Sequence, residues 1–203
     1  MKQATTTPRI RRAPIALSIL ALSGALVAGC TTTPASVPAG DSSNAQSADA
    51  RINSDVRQTL DRLYRVVAGS RDMVAHAAGV LVFPSVIGGS LIIGAQHGQG
   101  ALLVRGRNAG YYSTTSASIG FQAGVGSKAV IYVFNSAAAL AKFQASDGWT
   151  AGADAVVAVG NIGANGSVDS RTVQQPVVSF VMNNAGVEGG VSVNGSKITK
   201  IVP

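Results

Sequence analysis

The chain has 203 residues, 16 Lys+Arg against 9 Asp+Glu for a net +7, 24 Gly and one Cys. A single cysteine excludes an intrachain disulfide framework, so the fold must rest on its core. Charged residues make up only 12% of the sequence, against 46% hydrophobic, which favours sheet with many tight turns and excludes the basic stripe of a nucleic-acid-binding domain.

The first thirty residues read as an export signal. Lys2, Arg9, Arg11 and Arg12 make a positive start, an apolar run follows from Ala13 to Ala28, and Val27-Ala28-Gly29 leads directly into Cys30. A charged end, a short apolar middle and small residues at the cut define a signal peptide, and the run is shorter than the ~20 residues of a spanning helix. Val27-Ala28-Gly29-Cys30 resembles a bacterial lipobox, with Val27 where leucine is commonest. The resemblance implies cleavage before Cys30 and fatty acylation, palmitate-type, of its thiol and new amino terminus. Two or more acyl chains anchor a protein stably, at ~0.8 kcal/mol per buried methylene. Thr31 after the cysteine is similar to signals that sort lipoproteins to the outer membrane, so the expected location is the cell envelope. The expected organisation is 1–29 signal peptide, 30–48 lipidated terminus and flexible tether, and 49–203 domain. Four basic residues leave with the signal, so the mature chain carries 12 basic and 9 acidic residues, 12 − 9 = +3.

Thr31–Ala48 is rich in Thr, Ser, Ala and Pro without apolar periodicity, the composition of a tether. Ser47 or Asp49 then caps a predicted helix in which Ile52, Val56, Leu60, Leu63 and Val67 fall within an arc of roughly 80° at 100° per residue. Arg51, Arg62 and Arg65 share another strip, diluted by Asp49, Asp55 and Asp61. The stripe is expected to pack on the domain; a basic helix lying on lipid head groups is the sharper reading. Gly69-Ser70 interrupts, and Arg71–Ala77 supports a second short helix.

From Gly79 the texture is β. Gly79–Pro84 is an apolar run ended by proline. Ser90–Ala95 and Ala101–Arg105 flank Gln96–Gly100, which reads as a hairpin turn. Tyr111–Gly124 alternates, Ala129–Phe134 is a strand, and Ser136 opens a helix through Leu140 and Phe143. Trp149 begins an extended stretch centred on Ala155–Val159, and Pro176–Met182 with Val187–Val202 supply the last strands. Asn165-Gly166 and Asn194-Gly195 are turn signals. Runs apolar at every position suit strands covered on both faces. The expected fold is therefore α+β: a mostly antiparallel, strongly coiled or barrel-like sheet with a few packed helices.

Several of these pieces, in this order, resemble the SYLF-domain family. They are Ala78-Gly79-Val80-Leu81-Val82-Phe83-Pro84, Gly88-Gly89 with Ile93-Gly94, and His97-Gly98-Gln99-Gly100 running into Arg105. Ser118–Gly124, Val130–Asn135 and Gly186–Ser196 complete the series, and together they span about Leu60 to Val202. Gly110-Tyr111-Tyr112-Ser113-Thr114-Thr115 departs from the family's Gly-Trp-Ser-x-Pro. The resemblance implies lipid binding, in some members alongside actin; without the family's basic stretch, phosphoinositide specificity does not carry over, whereas a preference for anionic phospholipid does.

The residues offer no recognisable chemistry. His76 and His97 stand 21 positions apart with no second cysteine, so no metal site and no nucleophile–base pair is expected. Gly126-Ser127-Lys128 reverses the order of a phosphate loop, and Leu103 stands where a dinucleotide fingerprint needs glycine. The expectation is a non-enzyme with no cofactor and no nucleic-acid partner, whose partner is membrane phospholipid. The candidate head-group contacts are Arg51, Arg62, Arg65, Arg105, Arg107 and Lys128. The alternative is a structural or adhesion protein that binds another envelope protein, with Cys30 its only membrane contact.

Overall fold

The structure is a computed structural model that describes residues 41–90, 93–119, 124–160, 167–168, 170–184, 186–188 and 191–202. The expected signal peptide, Cys30, the expected tether up to Gly40 and Asn165-Gly166 lie outside the described residues. Residues Pro38–Pro203 form one compact unit.

The first element, α1 (Asp41–Val66), begins eight residues before the expected start at Asp49, so the stretch assigned to a tether is helical from Asp41. Asp41–Ala48 holds no Gly or Pro, and extending a helix whose later turns are already packed is cheap compared with nucleating one. The predicted stripe is the buried face: Val56, Leu60, Leu63 and Val67 are buried and Ile52 packs against them. A short helix, α2 (Ser70–His76), follows the left-handed Gly69.

Four long strands come next: β1 (Gly79–Ser90), β2 (Ile93–Val104), β3 (Arg107–Ile119) and β4 (Gly124–Phe134). After α3 (Ala137–Gln144) come β5 (Trp149–Thr150), β6 (Ala158–Val159), α4 (Ser170–Val173), β7 (Val177–Asn183), β8 (Gly186–Val187) and β9 (Lys197–Ile201). They form one sheet of order β5-β9-β3-β2-β1-β4-β7-β6, with β8 beside β7 and every pairing antiparallel except β6 with β7. As expected, Ser136 caps α3, its side chain accepting from the Ala139 N–H.

The sheet is covered on both faces, which explains the strands with no polar alternation. Val80 and Val82 of β1, Ala129, Ile131 and Val133 of β4, and Val178, Phe180 and Met182 of β7 pack under α1 and α2. Their neighbours Leu81, Phe83, Val130, Tyr132, Phe134, Val177 and Val181 point to the other face, where Leu140, Phe143, Trp149 and Ile198 complete a second core. Strong curling makes that core possible. Five strand spacings separate β5 from β4, about 24 Å in a flat sheet, yet the rings of Trp149 and Tyr132 lie 5.9 Å apart, edge to face. Trp149 also meets Phe143 at 5.5 Å and Phe134 at 6.2 Å. The fold is the α+β, strongly coiled half-barrel that the composition predicts.

Three strand expectations are corrected. Pro84 does not end β1. Register breaks on both sides, between Val82 and Ser85 against β2 and between Phe83 and Val86 against β4, place it in a bulge, where a residue without an N–H fits a central strand. Nor is Gln96–Gly100 a turn: these residues pair with β1 and β3 in mid-strand. Gly98 and Gly100 are there because the bulged β1 backbone comes too close for a Cβ, with Ser85 O 2.7 Å from the Gly98 position and Val82 O overlapping the Gly100 position. The true turn between β2 and β3 is Arg105-Gly106, at φ 51° and 73°, left-handed at both central residues as a two-residue hairpin requires. Lastly, of Ala155–Val159 only Ala158–Val159 is strand; Val156 is 78% exposed while Val157 enters the core.

Tyr132 carries a consequence for pH dependence. Burial holds its phenol well above the ordinary 10.0, with a hydrogen bond to the Ser196 side chain partly opposing. Below about pH 10 the phenol is protonated in both folded and unfolded chains and contributes nothing. Above that, the unfolded phenol ionises while the folded one stays neutral, so stability falls by up to about 1.4 kcal/mol per pH unit for this group. Burial raises Tyr64 and Tyr112 too, so their contributions share the sign. Urea unfolding at about pH 9 and about pH 11 should show a smaller loss in Tyr132→Phe than in the wild type. Equal losses would exclude Tyr132 as a source of the alkaline sensitivity.

Candidate functional site: a mixed-charge groove between α1 and the β1 bulge

The six predicted cationic contacts do not form one patch. Arg105 and Arg107 are exposed at the β2–β3 turn, near the end of the sheet where β1 starts and β4 finishes. Lys128 is half-buried in β4 opposite Val86, in phase with Val130 and Tyr132 and therefore on the face away from α1. Arg51, Arg62 and Arg65 all lie on α1, but Arg51 stands eleven residues before Arg62, about 16 Å along the axis. The structure brings together Arg62 and Arg65.

These two line an open groove of about 420 Å³ with Asp55, Gln58, Thr59 and Asp61 of α1 and with Pro84 and Ser85 of β1. At 100° per residue, the α1 members span about 160° beside the apolar stripe, from Thr59 at the core margin to Asp61 on the outer side. Burial of Leu60 and Leu63 aims this strip over β1, and the bulge at Pro84 forms the opposite wall. Ser85 and Ser127 share a hydrogen bond between hydroxyls, 2.8 Å, across the β1–β4 pair.

Three hydrogen bonds hold α1 in place. Arg62 donates to the Asn183 carbonyl at the end of β7. Nearer the helix start, Asn53 donates to the Tyr111 hydroxyl and accepts from the Asn108 side chain, both at 2.8 Å. Tyr64 stacks under the Arg71 guanidinium at 4.5 Å. Its phenol is raised by burial, opposed by Arg71 and reinforced by Asp61.

Sequence reasoning found Arg62 and Arg65 but counted Asp55 and Asp61 only as dilution of the helix charge. Their shared strip is readable from helical periodicity; the partnership with Pro84 and Ser85 is not, because it depends on a bulge. The histidines stay apart. His76 is exposed at the end of α2 with Nδ1 2.7 Å from the Asp72 carbonyl oxygen, and His97 is exposed in mid-β2 rather than in a turn. Among the described residues no three His, Cys, Asp or Glu side chains gather as metal ligands, and no helix is long and apolar enough to cross a membrane. Tyr112 is buried against Phe143, ring centroids 5.0 Å apart, and Tyr111 is half-buried beneath α1.

These features define an α+β domain with a doubly covered, curled sheet and a polar groove flanking its long helix. Residues 115–201 match the family model Ysc84, described as Las17-binding protein actin regulator. That match is consistent with the SYLF family its motifs resemble. No curated protein matches the chain.

Proposed function

We propose that the protein is a lipoprotein of the bacterial envelope, anchored through Cys30 in the outer membrane, whose SYLF-type domain binds phospholipid non-covalently and without catalytic turnover. The observation that carries this reading is the pair Arg62 and Arg65 in an open groove. Guanidinium groups are planar donors suited to phosphate oxygens. The net +3 of the mature chain adds a general attraction to anionic lipid that salt screens. The lipobox-like Val27–Cys30 supports the anchor, and the match to a lipid- or actin-related binding family is compatible with lipid as the ligand class.

The test is co-sedimentation of Thr31–Pro203 with anionic and zwitterionic vesicles at two salt concentrations. Among the described residues every buried core residue lies between Val56 and Ile198, so this form without the anchor keeps both cores. The expected result is binding that is stronger with anionic lipid and weakens with salt. No binding to any vesicle would leave the membrane connection to Cys30 alone and turn attention to a protein partner, the kind of ligand in the family's description.

A further inference from the structure

The groove holds more than cations, and its charge pattern suits a particular ligand. Arg62 and Arg65 share it with Asp55 and Asp61 within ten residues of one helix, about 15 Å of axis. Among the described residues no ion pair joins these acids to these arginines. The uncharged lining, Gln58, Thr59 and Ser85, adds hydrogen-bonding groups between the charges.

A site made for a simple anion would not keep two carboxylates beside its guanidiniums, because each carboxylate repels the anion at close range. A ligand carrying both signs turns the same carboxylates into an advantage. From this we infer that the groove binds a phosphate ester with a primary ammonium a short link away, a phosphoethanolamine-type zwitterion, with phosphate on Arg62 and Arg65 and ammonium on Asp61, which shares a helix face with Arg65 one turn on, while Asp55 adds negative potential at the far end of the groove. The primary ammonium matters: its N–H groups donate charge-assisted hydrogen bonds to carboxylate oxygens, whereas a quaternary choline has none to donate. The bulge contributes the other wall. Pro84 is outside the register of both flanking ladders, and such bulges re-aim side chains at functional sites. The inference rests on the lipid-binding reading and names the head group for it. General attraction to anionic lipid and selection by the groove are separable, the first set by net charge and the second by the paired signs.

The test uses Thr31–Pro203 and two sources of the same chemistry. In the first arm, calorimetric titration with phosphoethanolamine, inorganic phosphate, ethanolamine and phosphocholine should give phosphoethanolamine the tightest binding, about ten-fold over phosphate and over phosphocholine. Asp61→Asn should erode that margin while leaving phosphate binding equal or better, and Asp55→Asn, about 9 Å away along the axis, should erode it less. Arg65→Gln should weaken phosphoethanolamine and phosphate alike; Arg65 is preferred to Arg62, whose contact with the Asn183 carbonyl also holds the fold. In the second arm, vesicles of fixed anionic content carry either phosphatidylethanolamine or phosphatidylcholine as the remainder, and the former should bind more protein. Selectivity in both arms places the site on a membrane lipid, and selectivity in the first alone assigns it to a free amino-phosphate. Equal binding of phosphate and phosphoethanolamine, or a margin untouched by Asp61→Asn, would overturn the zwitterion site. If anionic vesicles still bound in a salt-sensitive way, the lipid-binding reading would survive that result; if no vesicle bound, it would fall separately.

Discussion

Gly100→Ala is expected to destabilise the domain severely, by ~3 kcal/mol or more. A Cβ at position 100 would overlap the Val82 carbonyl oxygen and lie 2.8 Å from its carbon and 2.9 Å from Phe83 Cα. All three atoms are backbone of the central strand, so no side-chain rotation relieves the overlap. Moving β1 instead would disturb the bulge, the cores on both faces and the wall of the groove together. Gly126→Ala is the matched control, since nothing lies within 4 Å of its Cβ position. Thermal unfolding by circular dichroism should show a large drop for Gly100→Ala and little change for Gly126→Ala. A Gly100→Ala midpoint within about 2 °C of wild type would show that β1 and β2 are not pressed together there.

Trp149→Ala should cost about 3–5 kcal/mol, the range for removing a buried large aromatic. The indole is 1% exposed and touches three rings, Tyr132, Phe134 and Phe143, from a strand only two residues long. It is the residue that closes the curl: it joins β5 at one margin of the sheet to β4 across the inner core. Its loss leaves a cavity and frees β5 and β9 from the rest. Denaturant unfolding gives the size of the effect, and Trp149→Phe, which refills part of the space, should recover some of it. Because Trp149 is the single tryptophan, wild-type fluorescence reports on this junction directly. A loss under about 1 kcal/mol would mean that the curl is held elsewhere.

Much of the fold was legible because its signals are local and periodic. The α1 stripe from Ile52 to Val67, the Ser136 cap and the apolar runs of β1, β4 and β7 each follow from spacing along the chain. Two-sided burial was legible as well, since a strand such as Ala129–Phe134 has no polar face to show solvent. The misreadings share one cause. Gly98 and Gly100 look like turn residues, and Pro84 looks like a terminator, when each is considered with its sequence neighbours alone. Their actual reason is a contact between β1 and β2, where one residue's need for space is set by a backbone some fifteen positions away. The candidate site divides the same way. Arg62 and Arg65 fell on a recognisable strip, whereas Arg105, Arg107 and Lys128 were grouped with them by charge and are separated by the topology.

The class of fold, the buried face of the long helix and the pieces that resemble a SYLF domain are written in the sequence, because periodicity and short motifs lie in neighbouring residues. That α1 lies over a bulge at Pro84, that β5 meets β4 through Trp149, and that two arginines and two aspartates share one groove could be seen only in the folded chain. Those facts depend on register and curl, which arise where distant strands pair and which no local pattern encodes.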